Sequence, residues 1–297
     1  MALQLGHSVT SAFDGDATDA AEGVLARAGA ARDAGFDYVQ VGDHHVVDEG
    51  GYLANVPLAA RLAGVFDRVA AMFLLPLYDP VELAERTGTL AALTDFEPWF
   101  ALGWREHAYD VFGTPWGERA AVFEANLEAV RRLWREEPVA LDDPYRPVAD
   151  VRVAPGADPE RVVVGGGARP AVERAGRLGD AWVAAPTETA ADVECKRRWF
   201  DGAGGGDLVV RRDALVLEDG DDARARARTL LADGYRGWPA DATWPLVGAP
   251  EEVAEDLAEL VALGATDVVV RPMDRSLAAE TFAGLSRARA AAEDDTG

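Results

Sequence analysis

Lysine and cysteine are almost missing from this chain of 297 residues, where Lys196 and Cys195 are the sole examples of each. One cysteine excludes an internal disulfide, which suits a reducing cytoplasm. Long apolar runs are missing too, since nothing approaches the roughly 20 residues that a membrane helix needs. The opening MALQLGHSV enters a strand-like run with no basic segment before an apolar one, so no signal peptide is expected. Zinc-type spacings (HxH, HExxH, paired cysteines) do not occur, and neither do GxSxG, GxGxxG after a strand or a Walker pattern. A metal site, a serine triad and a nucleotide loop therefore lose their usual signatures. Basic charge is scarce: 29 Lys and Arg stand against 52 Asp and Glu, a net charge of −23. Such a chain lacks the basic footprint that nucleic acid requires. It reads as a salt-adapted enzyme whose carboxylate surface repels itself at low ionic strength.

What is present is regular. Hydrophobic residues make up 49% of the chain, enough for a large core. Short β-rich runs alternate with amphipathic helical runs from end to end. Strands are expected at Leu3–Val9, Phe36–Val41, Arg68–Leu75, Trp99–Gly103, Arg161–Val164, Ala181–Ala184, Leu208–Leu217 and Asp267–Val270. Helices are expected at 18–34, 56–64, 80–93, 118–135, 168–178, 188–200, 221–233, 251–263 and 276–292. Repetition of β/α units fits a closed (β/α)8 TIM barrel better than an open sheet. One barrel domain spanning 1–297 is expected, with surface excursions near 137–159 and 234–248. Aromatic residues in the second excursion imply that it packs on something.

Three stretches carry candidate chemistry. In GFDYVQVGDHHV (Gly35–Val46) a strand opens into Asp43, His44 and His45. Ligands of such barrels sit at the C-terminal ends of strands, where loops vary without disturbing the core. All four histidines (His7, His44, His45 and His107) are read as lying at such ends, where imidazoles suit proton transfer near neutral pH. Asp43 would orient one of them. A metal-dependent hydrolase is the rival use of the same residues. In VVVGGGARPAVERA (Val162–Ala175), Gly165, Gly166 and Gly167 stand between a strand and a helix. Helix amides behind a glycine turn hold an anion, and Arg169 would add charge; a ligand-free tight turn is the plain alternative. In FALGWREHAYDVFG (Phe100–Gly113), Trp104 and His107 suit the covering of a planar ring, or Trp104 simply caps the barrel. Cys195 falls on an amphipathic helix and is read as inert.

These stretches, with LLPLYDPVELAERTGTLAAL (Leu74–Leu93), GWREHAYDVFGTPWGERAAVFEANLEAVRRLW (Gly103–Trp134) and VGAPEEVAEDLAELVALGATDVVVRP (Val247–Pro272), resemble the luciferase-like monooxygenase superfamily. The resemblance runs almost end to end. It implies a barrel whose C-terminal mouth binds coenzyme F420 (an 8-hydroxy-5-deazaflavin) or FMN; the salt-adapted reading of the charge favours F420. It implies phosphate-binding amides at Gly165–Gly167 and an acid/base His44 oriented by Asp43. It further implies a non-prolyl cis peptide near Ala71–Met72, bulging under the ring. His7 and His45 are expected to face the substrate, a small molecule, and a homodimer is compatible with the resemblance. Two departures stand out: TDFE (Thr94–Glu97) replaces the family's glycine-containing turn before the fourth strand, and PWFALGW runs two residues short where the family has a glycine-rich GxGxG. They keep open a non-catalytic flavin-binding barrel; binding of FMN in place of F420 would instead point to an FMN-dependent two-component monooxygenase.

Overall fold

A computed structural model describes residues 2–46, 50–141 and 148–294. The strands in chain order are β1 (Gln4–Val9), β2 (Ala12–Phe13), β3 (Tyr38–Val41), β4 (Gly51–Tyr52), β5 (Arg68–Leu74) and β6 (Asp95–Ala101). They continue as β7 (Val139–Leu141), β8 (Val148–Val151), β9 (Val163–Gly165), β10 (Ala181–Ala184), β11 (Asp207–Val216), β12 (Leu246–Gly248) and β13 (Ala265–Pro272). The first helices are α1 (Ala17–Asp33), α2 (Asn55–Leu62), α3 (Pro80–Leu93), α4 (Glu106–Phe112) and α5 (Arg119–Trp134). The rest are α6 (Arg169–Leu178), α7 (Ala190–Ala203), α8 (Gly220–Ala232), α9 (Pro250–Ala262) and α10 (Ala278–Asp294).

The main sheet runs β10-β9-β6-β5-β3-β1-β13-β11-β12, and a further β10–β11 pairing closes it into an eight-stranded parallel barrel with β12 beside β11. Helices between parallel strands are what such crossovers require. The chain groups into two compact units, one of 1–10, 23–40 and 164–297, the other of 11–22 and 41–163.

In the first unit, β11 pairs in parallel with β10, β12 and β13. Its core is Val and Leu from these strands, with Phe282 and Leu285 of α10 fully buried. The expected excursion at 234–248 is ordered. Tyr235, Trp238 and Ala242 pack on Leu231 and Met273, while Trp244 stands edge-on to Trp238 at 5.6 Å. In the second unit, β5 and β6 pair in unbroken register from Arg68↔Asp95 to Leu74↔Ala101. The excursion expected at 137–159 contains the antiparallel pair β7–β8.

Three expectations need correction here. Thr94–Glu97 is not a turn, because β6 already begins at Asp95. Polar Asp95 and Glu97 suggested a loop, yet the buried Glu97 carboxylate is neutralised by Arg68 and by Arg161 Nε at 2.9 Å. Trp99 Nε1 donates to the same carboxylate at 2.6 Å. The expected cis bond and bulge at Ala71–Met72 do not occur; among the described residues the cis bond is Ala154–Pro155, and β5 stays in register. A short helix, α4, was not anticipated and carries His107.

Candidate functional site

β3 is buried at every position and ends at Val41, so the chain leaves the sheet with Asp43 only 6% exposed. A carboxylate this deep needs donors, and it has several. Its Oδ2 accepts the Leu74 amide at 2.8 Å and the Tyr78 hydroxyl at 2.9 Å. Its Oδ1 lies 3.1 Å from His45 Nε2, which is also 3.2 Å from the Tyr78 hydroxyl. Asn55 extends the network, its Nδ2 donating to Met72 O at 2.8 Å and reaching Tyr78 Oη at 3.4 Å. Burial first, and the Asp43 charge next, push the Tyr78 phenol well above its ordinary range. Tyr78 is thereby held as a neutral donor.

Two adjacent imidazoles take different surroundings. His45 is half-buried, edge-on to Tyr78 and to Phe112. His44 is exposed, its ring 4.3 Å from that of Tyr52. His45 is thus an imidazole seated against Asp43, a contact not included in the expected Asp43–His44 pairing. The following residue, β-branched Val46, adopts φ 49°, a costly left-handed conformation of the kind that collects at working sites.

Two other histidines do not lie at strand ends. His7 is inside β1, 2% exposed, with its ring 4.8 Å from Phe282 of α10. Alternation explains this: Gly6 faces the Tyr38 ring and Ser8 bonds to Gln40, so His7 points the opposite way. Burial pulls its pKa down to about 3, and it stays neutral. His107 is exposed in the first turn of α4, and Trp104 is 77% exposed with the Arg105 guanidinium 4.9 Å from its ring. Ala71 is fully buried within β5 and Met72 partly so.

The glycine turn joins β9 to α6. At Gly166 an added Cβ would sit 2.4 Å from Ala171 Cβ, so this position requires glycine, whereas at Gly167 one would meet only the movable end of Glu188, 2.9 Å from Oε1. Trp182 Nε1 ties the loop down through Gly166 O at 2.9 Å. α6 begins after Ala168 with no side-chain cap and no acidic residue in its first turn. Pro170 carries no N–H and the Ala171 amide already donates to Ala168 O at 2.8 Å, so of the first three helical positions Arg169 alone has an amide for an outside acceptor such as a phosphate. Arg169 turns along the helix instead, pairing with Glu173 at 2.8 Å on the surface. Glu188, the carboxylate nearest the turn, is neutralised by Lys196.

Tyr78 and Asn55 were missed in the sequence because each sits alone at the edge of an apolar run; only the fold shows that they converge on Asp43. Among the described residues, no group of three or more His, Cys, Asp or Glu side chains is placed to hold a metal, and no helix is long and apolar enough to cross a membrane.

The architecture is that of a (β/α)8 enzyme barrel with a polar network beyond a strand's C-terminal end. Residues 3–267 match the model of the luciferase-like monooxygenase family, and the chain belongs to that family. It is 29% identical over 170 residues to an F420-dependent glucose-6-phosphate dehydrogenase of Kribbella flavida. That match covers 52% of this chain and 50% of the relative, about half its length. The fold is shared with the monooxygenase RslO1 of Streptomyces bottropensis (TM-score 0.81, 21% identity, 96% of this chain and 98% of that one). It is also shared with the oxygenating constituent of 3,6-diketocamphane monooxygenase of Pseudomonas putida in complex with FMN (TM-score 0.74, 18% identity, 97% of each chain).

Proposed function

We propose that the protein is an oxidoreductase that moves a hydride between coenzyme F420 and a small organic substrate. The observation that carries this reading is the buried Asp43 network, which fixes the loop displaying His44 at the end of β3. Asp43, His45 and Tyr78 position; the exposed His44 gives or takes the substrate proton. The uncapped start of α6 behind Gly165–Gly167 fits a cofactor phosphate. When bound, the cofactor supplies the hydride chemistry, and the protein supplies orientation and electrostatics. Similarity to an F420-dependent dehydrogenase supports F420 as the cofactor. The second reading, an FMN-dependent two-component monooxygenase, draws on the FMN held by the Pseudomonas putida relative.

The test supplies reduced F420 labelled with deuterium at C5, with a panel of small carbonyl compounds, and follows label transfer and oxygen uptake. Label in the product without oxygen uptake supports the proposal. Oxygen uptake with reduced FMN alone supports the second reading. Tight cofactor binding with neither activity contradicts both and leaves a binding protein.

A further inference from the structure

Inside the first unit, the chain's acidic character reverses. β11 carries Arg211 and Asp213 at alternate positions on one face, and Asp213 is in register with Arg271 of β13. This face is the one that meets Ser8 and Gln40: Arg211 Nη2 lies 3.2 Å from Ser8 Oγ, which donates to Gln40 Oε1 at 3.0 Å. Asp213 is 1% exposed and already engaged. Arg236 Nη1 reaches its two oxygens at 2.9 and 2.8 Å, and the Tyr235 hydroxyl donates to it at 2.6 Å.

Arg211 is left with a neutral partner. Its Nε is buried and makes no hydrogen bond, and among the described residues no carboxylate lies within ion-pair distance of its guanidinium. It is deep, yet part of its surface remains accessible. Burial first, then the guanidiniums of Arg271 and Arg236, draw its pKa down to about 9 against the opposing pull of Asp213, so it stays charged at neutral pH. Holding such a charge with no carboxylate hydrogen-bonded to it opposes folding. The nearby carboxylate on this face, Asp213, is taken up by Arg236 and Tyr235 and makes no hydrogen bond to Arg211.

We propose that Arg211, with Arg271 beside it on the strand pair β11·β13, recognises an anionic terminal group of the substrate, a carboxylate or phosphate. A guanidinium with its fork unfilled matches a planar or tetrahedral oxyanion. Ser8 and Gln40 fix its orientation from β1 and β3. The inference rests on the hydride-transfer reading only in calling that ligand a substrate; the anion site stands on its own geometry.

The test is thermal melting of the cofactor-free protein in mixtures of KCl and potassium phosphate at constant ionic strength, repeated with acetate. Wild type should gain a saturable upward shift. Arg211→Met should melt a few degrees higher than wild type without phosphate, because the unbalanced charge is gone, and its response to phosphate should weaken at least tenfold. Arg211→Lys should keep a reduced response, and Arg198→Gln, on the surface, should match wild type. A lower melting point for Arg211→Met, or a phosphate response equal to that of wild type, overturns the proposal and makes Arg211 a structural residue. Loss of the phosphate response on saturation with F420 or FMN also overturns it, since the anion site would then belong to the cofactor. If phosphate binds as expected while neither cofactor binds, the anion site stands and the hydride-transfer reading fails.

Discussion

Asp43 and His7 show two ways in which a buried polar side chain is accommodated: Asp43 is surrounded by donors, and His7 gives up its charge. The Asp43 carboxylate accepts from Leu74 N and Tyr78 Oη and faces His45 Nε2. Removing one hydroxyl donor to a buried carboxylate costs about 1–3 kcal/mol. Tyr78→Phe should therefore lower the unfolding free energy by that much, read as a lower urea midpoint with the slope unchanged. His44 is exposed, and His44→Ala should change stability by less than about 0.5 kcal/mol. Its turnover should fall by about 10²–10⁴, as loss of a general acid or base does. A His44→Ala enzyme with full turnover would move the proton-transfer role elsewhere. His7 gives a pH test. Its pKa is about 3 in the fold and near 6.5 in the unfolded chain, so on acidification the unfolded chain takes up the proton first. The stability contribution is fully present above about pH 6.5 and is lost progressively as pH falls toward about 3. His7→Gln should lose less stability between pH 7 and pH 5 than wild type, read from urea midpoints at the two values. That His45 is seated on Asp43 was not legible in the sequence, because loop residues beyond β3 follow no period.

At the scale of elements, most of the barrel was readable because strand and helix periods differ and glycine turns separate them. Ala181–Ala184 and the helix from Pro80 to Leu93 stand where periodicity placed them. β6 was misplaced for a physical reason. Glu97 looks like turn chemistry until Arg68 and Arg161 arrive from 29 and 64 residues away. Breaking a buried ion pair by removing one partner costs roughly 3–5 kcal/mol. Glu97→Ala should thus fall in that range by denaturant unfolding, and a loss below about 1 kcal/mol would contradict the assigned role. The turn between β9 and α6 makes a different prediction. A methyl at Gly166 would sit 2.4 Å from Ala171 Cβ, so Gly166→Ala must shift the start of α6. Cofactor affinity should drop at least tenfold; unchanged affinity would remove that turn from the cofactor site. His7 and Ala71–Met72 mark where local pattern ran out, since the direction of a side chain in a strand and the isomer of a peptide bond depend on neighbours across the sheet.

Over the whole molecule, charge is the dominant fact. A net charge of −23 on 297 residues implies self-repulsion that salt screens. The melting temperature should rise between 0.1 and 2 M KCl, a range over which the screening length falls from about 10 Å to under about 3 Å. A flat or falling curve would contradict salt adaptation. The family and the fold are established, while the cofactor is the central claim still open to direct trial. The measurement that tests it is a spectroscopic titration of the purified protein, in concentrated KCl, with F420 and FMN separately. The account predicts saturable micromolar binding of F420 and much weaker binding of FMN. Saturable binding of FMN alone would contradict the cofactor assignment, and binding of neither would contradict the proposed function as a whole.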